Sequence, residues 1–140
     1  MVRAFSDILF PDAELVVAFH GEVLRAHGGA DGLRDRGLLE RATASPQASL
    51  AGAPRCDSLA KMAGALAFAL VKNQPFVEGN ERVAFLAATT FLAMNGAAIP
   101  ESRDWEVLIL ALANGSNGRE DLIAAFADAI GGDIGVEADG

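Results

Sequence analysis

The residues with the most chemistry per unit length lie in one short stretch, NQPFVEGNERVAF, running from Asn73 to Phe85. A glutamine, two glutamates, an arginine and two asparagines crowd around Pro75 and Gly79. A short polar loop between two apolar segments is costly in backbone hydrogen bonding, so it usually carries function. Asn80 is of the type that caps a helix N-terminus, and Gly79 permits a backbone other residues avoid. The free N–H groups of a first helical turn hold anions, phosphate above all. The backbone at Gly79 and Asn80 is therefore a candidate phosphate-binding site. Gln74 donates and accepts hydrogen bonds but carries no group that titrates near neutral pH. Phe76 is read as the apolar anchor of the loop.

The elements that must position this loop are two apolar runs. LAKMAGALAFALVK leads in and VAFLAATTFLAMNG leads out. The first is hydrophobic nearly all round, which predicts a buried central helix capped by Asp57 and running to about Lys72. The second predicts a partner helix from about Glu81 to Asn95, stopped by Gly96. Upstream, Asp12 is the expected cap of a first helix with Leu15, Val16, Phe19, Val23 and Leu24 at helical spacing. His20 and His27 fall on it or at its end. They are not spaced as a metal pair, and packing or capping is their simpler role.

Gly28-Gly29 stops that helix. Asp35 is expected to cap a short one from Arg36 to Ala44, ended by Pro46. Arg34 and Arg36 read as solvated arginines or as phosphate or partner contacts. Further helices are expected around Trp105 to Asn114 and up to about Ile130. The tail from Gly131 to Gly140 is glycine-rich and acidic, and fraying is expected there. No run alternates as a strand. The prediction is all-α: a single compact bundle of about six helices around a central buried helix pair, one domain over 1–140 with its core at about 12–130.

Composition narrows the classes. Net charge is −8. Direct nucleic-acid binding is disfavoured, because phosphate contacts supply most of that affinity. No apolar run is long enough to span a membrane, and MVRAFSDILFPD lacks the pattern of a signal peptide. The one cysteine, Cys56, allows no internal disulfide. A cytoplasmic location is expected.

The loop resembles the signature of the Fic/Doc family, His-x-Phe-x-Asp/Glu-Gly-Asn-Lys/Gly-Arg. Gln74, Phe76, Glu78, Gly79, Asn80, Glu81 and Arg82 stand in those places. Upstream, HGGADGLRDRGLLERATASPQ resembles the death-on-curing (Doc) branch, and the resemblance runs from about residue 15 to 130. It implies the Fic/Doc helical fold and a phosphoryl or nucleotidyl transferase acting on a protein hydroxyl. ATP and Mg would be its cofactors, with Glu78 as the metal ligand and Gly79, Asn80, residue 81 and Arg82 on the phosphates. Implied partners are a Phd-like antitoxin and, as target class, a translation elongation factor.

Two departures fall on the chemistry. Gln74 replaces the catalytic histidine and cannot act as a general base. Glu81 replaces a cation beside the phosphates. At an effective dielectric of about 20, one charge at about 5 Å is worth roughly 3 kcal/mol. Glu81 is expected to substitute in part for the missing phosphate. The expectation is a toxin-family protein with a degenerate transferase site that acts through protein binding. The alternative is a transferase of altered mechanism, with Gln74 orienting the target hydroxyl.

Overall fold

The computed structural model describes residues 2–50, 53–99, 109, 115 and 118–139. Five α-helices lie among them: α1 (Ala13–His27), α2 (Arg36–Ala44), α3 (Leu59–Asn73), α4 (Asn80–Met94) and α5 (Arg119–Ala129). The helix expected around Trp105 to Asn114 falls, Ile109 apart, outside the described residues. The protein is mostly helical, with two small additions that the sequence did not announce. β1 (Val2–Ala4) pairs in parallel with β4 (Gly135–Glu137), Arg3 opposite Val136. β2 (Ser49–Leu50) pairs antiparallel with β3 (Ala53–Pro54).

α3 is the axis of the core. Leu59, Met62, Leu66, Leu70 and Val71 are almost wholly buried, and the alanines between them are buried too. α4 supplies Val83, Phe91 and Leu92, α5 supplies Leu122 and Phe126, and α1 and α2 add Val16 and Leu39. Gly64 explains how close the helices come. A Cβ built there would lie 2.5 Å from Ile123 Cγ1 of α5. Only a residue without a side chain permits that approach.

The start of α3 corrects two expectations. Its N-cap is Ser58, not Asp57: Ser58 Oγ accepts from Lys61 N–H at 3.2 Å. Asp57 pairs instead with Lys61 Nζ at 2.8 Å. The tail is not frayed. Leu59 N–H donates to Ile134 O at 2.9 Å, and Ala60 N–H to Asp133 Oδ1 at 3.0 Å. Val136 N–H donates to Asp57 O at 2.8 Å, and its side chain is buried. The C-terminal segment thus satisfies the orphan donors that every helix start leaves open. Asp12 and Asp35 do cap α1 and α2, accepting from Leu15 and Leu38 N–H.

Candidate functional site

The signature loop spans the gap between α3 and α4. α3 ends at Asn73, and its C-cap is Gln74, whose φ of 48° and ψ of 61° place it in the left-handed region. It is the one non-glycine residue with positive φ among those described. Asparagine or glycine usually fills such a C-cap, so glutamine there carries strain. The surroundings hold it. Arg34 Nε donates to Gln74 O at 2.8 Å and its Nη2 to Asn73 O at 2.7 Å. Arg34 and Asp35 N–H both donate to Pro75 O, and Val77 N–H donates to Gly32 O. Leu33 and Phe76 form an antiparallel bridge. Arg34 is therefore bound to the loop backbone, and Arg36 is paired with Glu14 and Glu40. The sequence offers no pattern that would reveal the Arg34 contact.

Asn80 is not the N-cap of α4. The cap is Gly79, at φ 83°. Asn80 turns its side chain back into the loop, accepting from Phe76 N–H and donating to Phe76 O, each at 3.0 Å. It is buried, and its polar atoms are committed to the loop. Phe76 is buried as the loop anchor and stacks on His20, ring centroids 4.1 Å apart and 8° from parallel. His20 Nε2 meets Glu78 O at 2.9 Å, and its Nδ1 lies 3.9 Å from Asp31. Because a carbonyl can only accept, Nε2 carries the proton. His20, read from the sequence as a packing or capping residue of α1, is thus the packing partner that holds the loop. Its one signal was a polar residue among apolar neighbours on α1.

A cavity of 650 Å³ opens where α1, the loop and α4 meet. Glu78, Gly79, Glu81 and Arg82 line it, with Glu22, His27 and the turn Gly28-Gly29 opposite. Val23, Ala26, Phe85, Leu86 and Ile109 supply its apolar wall. Gln74, Phe76 and Asn80 do not line it. Glu78 Oε2 accepts from Ala30 N–H at 2.7 Å, tying the loop to the turn after α1. Arg82 Nη1 donates to His27 Nε2 at 3.2 Å, which leaves that imidazole uncharged. Glu81 makes no hydrogen bond or ion pair among the described residues. Glu81 thus makes no contact that stands in for a phosphate, and the loop carboxylate with a backbone partner is Glu78, on the Ala30 amide of the turn after α1.

Glu78 is the one candidate metal ligand that the sequence proposed. No group of three His, Cys, Asp or Glu side chains among the described residues is arranged to hold an ion. One carboxylate, half engaged by Ala30, does not by itself fit Mg, which demands six oxygens in octahedral geometry.

The model of the Fic/DOC family matches residues 10–92, more than half of the chain. Toxin Doc of Mycolicibacterium smegmatis is 42% identical over 79 residues, covering 56% of this chain and 61% of that protein. The chain thus matches about three-fifths of its relative's length. The family match holds α1 to α3, the loop that follows, and α4 as far as Leu92. On the family match the chain belongs to the Fic/Doc family.

Proposed function

We propose that this chain is the toxin-family member of a toxin–antitoxin pair, that its transferase site is degenerate, and that it acts by binding a Phd-like antitoxin. The observation that carries this reading is Gln74. Where the family motif has its base, the chain has an exposed side chain without a titratable nitrogen, off the cavity wall. Loss of a general base typically costs roughly 10²- to 10⁴-fold in rate. The donor side agrees. Asn80 is engaged by Phe76, Glu78 by Ala30, and Glu81 brings a negative charge to the cavity. Among the described residues no cluster of side chains joins Glu78 to hold a metal.

A second reading keeps the chemistry. Arg82 still lines the cavity. Phosphoryl transfer through a loose transition state depends mainly on positioning and electrostatics. Gln74 would then orient a hydroxyl of a translation factor toward ATP. Calorimetric titration with ATP and Mg separates the two. The first reading expects no heat from the wild type and binding by a Gln74→His, Glu81→Lys variant. Binding by the wild type would favour the second.

A further inference from the structure

We propose that the cavity between α1 and α4 receives a basic side chain, arginine or lysine, from a protein partner. This rests on the binding reading above and names the chemistry of the contact. One side of the cavity is apolar, formed by Val23, Phe85, Leu86 and Ile109. The polar side carries three carboxylates, Glu22, Glu78 and Glu81, against one guanidinium, Arg82, among the described residues. His27 adds no charge while it accepts from Arg82.

The carboxylates are not equally committed. Glu22 pairs with Arg25, and Glu78 gives one oxygen to Ala30 N–H. Glu81 is half-buried and has no partner among the described residues. An unpaired carboxylate beside an apolar wall fits a side chain with an aliphatic stem and a cationic head. Charge complementarity decides against an anion. With Glu22 set aside as paired to Arg25, Glu78 and Glu81 against Arg82 leave one net negative charge, which outweighs the about half a charge at the positive end of α4. A bare metal ion does not fit either, since no three ligands converge. A net charge of −8 would also speed encounter with a basic partner.

The test uses the whole chain in about 0.15 M salt, where long-range attraction is screened. Three probes are titrated and followed by amide chemical shifts. They are a capped leucine–alanine peptide with two arginines, the same peptide with glutamates, and spermidine. The arginine peptide is expected to bind and to shift Gly29, Glu81 and Arg82. Glu81→Gln, nearly isosteric, is expected to weaken it about tenfold, and Glu120→Gln on α5 to leave it unchanged. Three results would overturn the proposal: equal losses in the two variants, shifts scattered over the acidic surface, or spermidine or the glutamate peptide binding as tightly. None of these depends on whether the chain transfers phosphate, so failure here is separable from failure of the binding reading.

Discussion

Replacing Asn80 by alanine tests the loop at its tightest point. The Asn80 side chain satisfies both backbone groups of Phe76, at 3.0 Å each, in a buried position. Alanine removes both partners and leaves a donor and an acceptor stranded. A buried group left unsatisfied costs about 1–3 kcal/mol, so two cost about 2–6. Alanine regains about 0.5 kcal/mol of helix propensity at the start of α4. The loop lies near the surface, and entering water offsets part of the loss. The expected net cost is about 2–4 kcal/mol, a large share of the roughly 5–15 typical of a domain. Urea unfolding measures it, and amide exchange at Phe76 should accelerate with it. Asn80→Asp keeps the acceptor, loses the donor and adds a charge that the helix start favours, so it should fall between the two. A loss below about 1 kcal/mol in Asn80→Ala would refute the assignment of Asn80 as the internal brace of the loop.

Gly64→Ala should destabilise by about 1–3 kcal/mol, because the new Cβ meets Ile123 Cγ1 at 2.5 Å; combining it with Ile123→Ala should relieve that clash in a double-mutant cycle of thermal melts. Ending the chain after Ile130 should lower the stability read from urea unfolding by about 3 kcal/mol, since the bonds to the first two N–H groups of α3 and the burial of Val136 are lost together. Lys61 holds the Asp57 carboxyl below its usual range and Asp57 raises Lys61. The sign follows from each shift: the pair's contribution fades as pH falls through the lowered Asp57 value, and again as pH rises through the raised Lys61 value. Because both groups are largely exposed, Asp57→Asn should change stability at pH 7 by less than about 1 kcal/mol.

What the sequence disclosed was local. Asp12 and Asp35 were legible as caps because the cap, the helix and the bond lie within four residues. The α3–α4 pair was legible from its unbroken apolar character. The start of α3 was misjudged by one residue because Asp57 and Ser58 are both capping types. The choice is made by Asp133 and Ile134, more than seventy residues away. The tail was misjudged for the same reason, since its partner strand is at the other end of the chain. Asn80 had the right type for a cap, yet Gly79 takes that place and frees Asn80 to brace Phe76. Within the loop, Glu78, Gly79, Glu81 and Arg82 do share one cavity, while Gln74, Phe76 and Asn80 shape or flank the loop instead. The clamp by Arg34 and the stack of His20 on Phe76 are tertiary contacts with no periodic signature.

The central claim is that transfer chemistry has lapsed at Gln74 and Glu81 while the scaffold persists. Transfer of labelled phosphate from ATP to proteins of a bacterial extract tests it most directly. The account predicts no labelled band with the wild type and a labelled band with the Gln74→His, Glu81→Lys variant under the same conditions. A band labelled by the wild type at a rate within about tenfold of the variant would contradict it, since loss of a general base alone should exceed that.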